Sequence, residues 1–129
     1  MKLTENFDRE EFDCNDGTII PDNLLSNVQE LADNLQVLRT LLNLPLEINS
    51  GYRHPEYNKK VGGGSKSQHL LAKAADISCD DLPFTPRQLA RLIKGLIKLG
   101  MIEEGGIGIY PDDNFVHYDV RGTKARWNG

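Results

Sequence analysis

His69, Asp76 and His117 carry side chains that bind transition metals, while Gly62-Gly63-Gly64-Ser65-Lys66-Ser67, just ahead of the first, has the composition of a phosphate loop. The two readings imply different chemistry. A phosphate loop needs Gly-x-x-x-x-Gly-Lys-Ser/Thr set directly between a strand and a helix, so that backbone amides meet the phosphates. Here Ser65 precedes Lys66, and Tyr52–Val61, with Pro55 inside it, reads as polar loop rather than strand. No long amphipathic helix follows, and the phosphate reading is set aside. The metal reading meets a spacing problem first. Seven residues on a helix span about 10.5 Å, too far for two ligands each ~2 Å from one ion. Read as a turn entering a strand, the segment puts Ala72, Ala74 and Asp76 on one face and Ala75 and Ile77 on the other. Small residues then let His69 fold back beside Asp76. His117 and Asp119 share a face of the strand predicted over Asn114–Val120. Two histidines and an aspartate would leave a fourth position for water, the arrangement of a catalytic zinc rather than a structural one. A lone histidine is most often an ordinary core or surface residue, so spacing alone leaves the trio a candidate. His54 stands apart, in an Arg-His-Pro turn.

The elements that must position these residues are legible from periodicity. Asp8-Arg9-Glu10-Glu11 fits a capping box between Phe7 and Phe12, and predicts a short helix. Leu24, Leu25, Val28, Leu31, Leu35, Leu38, Leu41 and Leu42 recur at three- and four-residue spacing, which predicts a helix over about Asp22–Asn43 ended by Asn43-Leu44-Pro45. Leu46–Ser50 alternates as a strand. Thr85-Pro86-Arg87-Gln88 starts a second helix, with Leu89, Leu92, Ile93, Leu96 and Ile97 on its apolar face and Gly100 as its stop. Gly106–Tyr110 and Phe115–Val120 read as strands joined by the turn Pro111–Asn114. The expected class is α+β: helices packed on a small, mostly antiparallel sheet, in one domain spanning 1–129. The long segment Gly51–Ser67 is where function is expected.

Composition narrows the partners. With 26% charged residues, 39% hydrophobic residues and a formal net charge of -4, the chain has an ordinary globular balance, and its acidity argues against nucleic acid as a partner. Lys59, Lys60, Lys66 and Lys73 around the glycines read as a solvated rim. Cys14 and Cys79, the two cysteines, cannot build a disulfide framework or a four-thiolate site, which leaves two idle thiols or one disulfide. No apolar run approaches the roughly 20 residues of a membrane span, and Met1–Phe12 lacks the apolar core of a signal peptide.

Several blocks taken together resemble a known family. They are Ser50-Gly51-Tyr52-Arg53 with Pro55 and Asn58; Ser67-x-His69-x6-Asp76; Phe115-Val116-His117-x-Asp119-Val120-Arg121-Gly122; and Ala125-Arg126-Trp127. In this order, from about Phe7 to Trp127, they resemble the zinc peptidases of bacterial cell walls, namely D-Ala-D-Ala carboxypeptidases and murein endopeptidases, whose metal site is shared with lysostaphin-type enzymes and the hedgehog signalling domain. The resemblance implies zinc held by His69, Asp76 and His117 in a monomeric hydrolase of peptidoglycan stem peptides or cross-links. Such an enzyme is a carboxypeptidase or an endopeptidase that reaches the wall after export, or after lysis as a phage lysin. The zinc would polarise the scissile carbonyl and acidify its water. Arg53 would grip a substrate carboxylate with its planar fork, or else make a structural salt bridge. Ser67 and Gln68 would hydrogen-bond substrate or water. Asp119 is expected either to accept the water's proton or to orient His117 through its other ring nitrogen, with Asp113 a second candidate for the base. Trp127 and Tyr118 are candidates for groove walls. Two positions depart from the family. Ala72 stands where glycine is common, which is tolerable at negative φ. Asn114 stands where several branches place Glu or Asp three residues before the last ligand, and an amide cannot take a proton. That second departure leaves open a zinc-containing module that binds wall or protein without catalysis.

Overall fold

The computed structural model describes all of residues 1–129. The first two apolar anchors frame a 3-10 turn, Arg9–Phe12, closed by the Asp8/Glu11 capping box. After a second 3-10 turn at Asp22–Leu24, α1 runs over Leu25–Leu42 and buries Val28, Leu31, Ala32, Leu35 and Leu38. Asn43 ends it in the left-handed conformation (φ 52°), which asparagine tolerates better than most residues. Strand β1 (Ile48–Ser50) leads to a helix that periodicity did not predict, α2 (Pro55–Lys60). Pro55 was read as a loop residue. It occupies the first helical turn, where its missing N–H costs nothing. Strand β2 (Ala74–Ser78) is followed by α3 (Pro86–Lys98), whose Thr85/Gln88 capping box forms as its sequence implies. The hairpin β3 (Gly106–Tyr110) and β4 (Phe115–Asp119) comes next, and a further unpredicted strand, β5 (Ala125–Asn128), closes the chain.

The five strands form one sheet in the order β1-β2-β4-β3-β5, antiparallel except for the β3–β5 pair. This is the α+β class that the order of helices and strands implied. Alternation along the strands divides the sheet's two faces. Ala75, Ile77, Val116, Tyr118 and Ile107 point into one apolar core shared with Leu31 and Leu35 of α1 and Leu89 and Ile93 of α3. At about 2–5 kcal/mol for truncating such a buried leucine, Leu35→Ala should visibly lower the melting temperature. The opposite face is polar, and it carries the site. No helix is long and apolar enough to cross a membrane.

Candidate metal centre

One transverse row crosses all five strands on the polar face. Ser50 pairs with Asp76, Asp76 with His117, His117 with Gly108, and Gly108 with Trp127. Asp76 and His117 therefore meet by register, directly opposite on neighbouring antiparallel strands. His69 arrives by another route. It sits in a 3-10 turn, Gln68–Leu71, whose cap Ser67 accepts a hydrogen bond from the His69 amide at 3.2 Å. The chain then reverses at Ala72 and enters β2. Ala72 adopts φ 57°, ψ 31°, the left-handed region, so the negative φ under which alanine would be tolerable there is not met. The reversal demands the positive φ, and a Cβ there carries a strain of roughly 1–2 kcal/mol that glycine would not. Ala72 therefore belongs to the turn and lies outside the β2 face.

The three side chains converge. His69 Nε2 lies 3.3 Å and His117 Nδ1 3.2 Å from Asp76 Oδ1, and ligand atoms of all three lie within 4.8 Å of one another. A tetrahedral ion with bonds of ~2.0–2.1 Å separates its ligands by about 3.3–3.4 Å, so the spacing fits one ion. The ring nitrogens facing away are engaged. His69 Nδ1–H donates to the Gly51 carbonyl at 2.7 Å, and His117 Nε2–H donates to Asp119 Oδ2 at 2.7 Å. That assignment leaves one lone pair on each imidazole aimed at Asp76, the tautomers a metal requires. Donor chemistry, spacing and tautomers thus all suit a divalent transition metal.

Electrostatics agree. Burial opposes ionisation of Asp76, yet the adjoining His117 and His69 side chains hold its carboxyl well below the usual carboxylate range. Burial likewise opposes charge on His117, but Asp119 and Asp76 raise its pKa above the ordinary value. The lowered Asp76 pKa keeps an ionised carboxylate in place for a cation.

Arg53 sits beside the cradle. Its Nη2 donates to Asp76 Oδ2 at 3.2 Å, Nε to Ser50 Oγ at 3.0 Å and Nη1 to Asn58 Oδ1 at 3.4 Å. The salt bridge foreseen as its alternative role exists, and Arg53 also lines the cavity over the site. Asn58 in turn donates to the Gly64 carbonyl at 2.9 Å. A Cβ on Gly63 would collide with the Asn58 amide, so the glycines let the loop close on Asn58 and form a rim. This is the structural use of a segment that resembled a phosphate loop.

The cavity measures about 390 Å³, within the range of small-ligand sites. Ser67 and Gln68 line it, as does Trp127. The indole lies 4.8 Å from the His117 ring, and its Nε1 donates to the Tyr110 hydroxyl at 2.8 Å. Gly108 makes room: a Cβ there would stand 2.5 Å from the indole. Gly108→Ala should cost about 1–3 kcal/mol by overpacking and displace the indole from His117. Fluorescence of the chain's single tryptophan reads that displacement without ambiguity.

Tyr118 takes no part in the groove. It is 1% exposed, points into the core and donates its hydroxyl to the Glu103 carbonyl, because it alternates with His117 and Asp119. Asp119 lies behind the His117 ring, on the side away from Asp76. It is 0% exposed and is bonded by Gly106 N at 2.9 Å and by Arg121 through Nε at 2.9 Å and Nη2 at 2.7 Å. Burial works against its ionisation, but His117 and Arg121 hold its carboxyl well below the ordinary range. Asp113 is exposed in the hairpin turn and does not line the cavity. Asn114 occupies a left-handed turn position (φ 56°) and donates to Asp80. Asp76 is the one carboxylate that lines the cavity.

Residue types and spacing did not single out Arg121, which lines the cavity with its guanidinium 5.5 Å from the Trp127 ring centroid. Its position two residues beyond Asp119 was the available signal. The Gly51 carbonyl, which no side-chain pattern can reveal, was missed for the same reason that backbone acceptors always are.

Residues 4–119 match the peptidase M15 family. The chain is 31% identical over 101 residues to a probable peptidoglycan L,D-endopeptidase MepK of Haemophilus influenzae, an alignment covering 74% of this chain and 50% of that protein. It is also 31% identical over 104 residues to the peptidoglycan L,D-endopeptidase MepK of Escherichia coli K12, covering 75% and 52%. The chain spans about half the length of the curated relatives it matches.

Proposed function

The chain belongs to the peptidase M15 family, and from that premise we propose that it hydrolyses peptide bonds of peptidoglycan with zinc held by His69, Asp76 and His117. The observation that carries this reading is the preset pair of imidazoles, each with its outer N–H engaged and its inner lone pair facing Asp76. Zinc bound there supplies Lewis acidity toward a peptide carbonyl and a water that is nucleophilic near neutral pH.

The chain's own groups do the rest by position. Asp119 orients His117 and balances its charge. Arg53 has five N–H donors, of which three are spent on Ser50, Asn58 and Asp76; the remaining two suit a carboxylate of the stem peptide. Trp127 screens one side of the site from water, and Ser67 and Gln68 offer hydrogen bonds to the peptide backbone. Arg53→Lys keeps the charge but loses the fork. We expect kcat/KM to fall about 10–100-fold, from a lost charged hydrogen bond of about 1.5–3 kcal/mol, with KM rising more than kcat falls.

The relatives are named L,D-endopeptidases, and L,D cross-links are therefore the first substrate proposed for this chain. It would meet that substrate at the wall, after export or lysis, and act as a monomer. Synthetic muropeptides with L,D cross-links, with D,D cross-links, and with free D-Ala-D-Ala ends separate the cases by mass spectrometry. Cleavage of the L,D cross-link is expected. Release of terminal D-Ala alone would make the chain a carboxypeptidase.

One observation favours a second reading. With no carboxylate but Asp76 on the cavity wall, a proton acceptor is not built in, as in a non-catalytic zinc module. Under that reading none of the three muropeptides is cut by zinc-loaded protein.

A further inference from the structure

Cys14, Asp16 and His54 form a second cluster of metal-binding side chains, and a ligand atom from each lies within 4.8 Å of the others. The cluster is prearranged by its backbone. Cys14–Thr18 closes into a tight turn, with Gly17 N donating to the Cys14 carbonyl at 2.9 Å and Cys14 N to the Thr18 carbonyl at 3.0 Å. Gly17 takes the positive φ (95°) that the turn requires. Asp16 Oδ1 is occupied by the Thr18 amide at 3.0 Å, which turns Oδ2 toward His54 Nε2. Asn15 anchors the turn to the Asn49 carbonyl at 2.8 Å. His54 comes from a distant segment, immediately ahead of α2.

A nucleophilic role for the thiol does not fit. Burial pushes the Cys14 thiol up, and a thiol held neutral is inert. Its imidazole neighbour is turned to Asp16 instead. A thiolate, an imidazole and a carboxylate are, however, a donor set suited to zinc, and hard cations would not select the sulfur. Asp16 is exposed and His54 partly so, so an ion can enter the cluster from solvent.

We propose that Cys14, Asp16 and His54 bind a second zinc ion, which fastens the N-terminal segment to the segment Gly51–His54. That second segment serves the first centre. Its Gly51 carbonyl orients His69, and its Arg53 holds Asp76. The two segments already touch: Tyr52 N donates to the Phe12 carbonyl at 2.7 Å, and a Cβ on Gly51 would press on the same carbonyl. The second zinc is a staple at the point where the N-terminal turn meets the scaffold of the cavity. The inference stands apart from the proposed hydrolysis, since it uses none of the first centre's ligands.

Cobalt(II) separates the two centres, because only a thiolate ligand gives an intense sulfur-to-cobalt charge-transfer band in the near ultraviolet. The band is expected in the unmodified chain, in His69→Ala and in Cys79→Ser. Cys79, pushed by burial to about 11, has no ligand partner in either cluster. The band should vanish in Cys14→Ser. His54→Ala, which leaves the thiol and its packing in place, guards against a folding defect: zinc per chain, measured by elemental analysis, should fall by one equivalent while the cavity site stays loaded. A fully cobalt-loaded chain without the band, a band lost in Cys79→Ser instead, or unchanged zinc content in folded His54→Ala would overturn the proposal. Failure of the hydrolysis reading would leave the band untouched.

Discussion

His69→Ala should bind no metal at the cavity site and lose peptidase activity to background, while keeping its fold. His69 supplies one of the three donors and leaves Asp76 and His117 as the cluster's remaining pair. Losing one of three protein ligands weakens zinc binding sharply. The scaffold should survive, because His69 lies in a short 3-10 turn rather than in the apolar core. Isothermal titration with zinc and a melting curve separate the two effects. Turnover equal to the unmodified chain would show that the cavity's metal is not part of the chemistry. Acidity gives a related expectation. His117 has its pKa raised in the metal-free protein, so metal competes with a proton there, and affinity falls as pH drops below that raised value.

Asp119→Ala is expected to be the more damaging change for stability. Its carboxylate is fully buried and receives hydrogen bonds from His117, Gly106 and Arg121. Removing one partner of such a set costs about 3 kcal/mol or more, and water at the 29% exposed Arg121 side chain recovers part of that. Metal affinity should fall about 10–100-fold, because His117 loses the group that fixes its tautomer. Asp119→Asn tests the role more sharply. If Asp119 orients His117, zinc affinity and turnover fall together; a proton acceptor would instead lose turnover at unchanged affinity. The pH sign follows from its depressed pKa. The folded-state value lies below the ordinary 3.8, so its stabilisation is present above that value and is lost as pH falls toward the folded-state value. Metal-free Asp119→Asn should therefore start less stable but lose less of its stability than the unmodified chain as pH falls below 3.8, read from melting temperatures.

Much of this was legible in the sequence, for identifiable reasons. The 3.6-residue period of α1 and the Thr85/Gln88 box of α3 are local signals, and both helices formed where those signals lay. The pairing of His117 with Asp119 on one face followed from strand alternation. The same alternation should have sent Tyr118 to the core, since a residue between two site residues must face away from them. What escaped was set by distant contacts or by a misread local residue. β5 exists because Gly106–Ile109 offers it a parallel edge, and four residues carry no period of their own. Trp127 reaches His117 only because Gly108 lacks a side chain, a relation between strands nineteen residues apart in sequence. The polar-loop reading of Tyr52–Val61, with Pro55 inside it, misses that Pro55 opens α2. Ala72 was judged by the residue it replaces, while the reversal between His69 and β2 fixed its φ.

The measurement that bears most directly on the account is a muropeptide profile of purified peptidoglycan, digested with zinc-loaded protein, with chelated protein, and with chelated protein restored by zinc. The account predicts new peptide fragments with the first and third, none with the second, and none from His69→Ala under any condition. Identical profiles in all three digests, with zinc shown to occupy the cavity site, would contradict it.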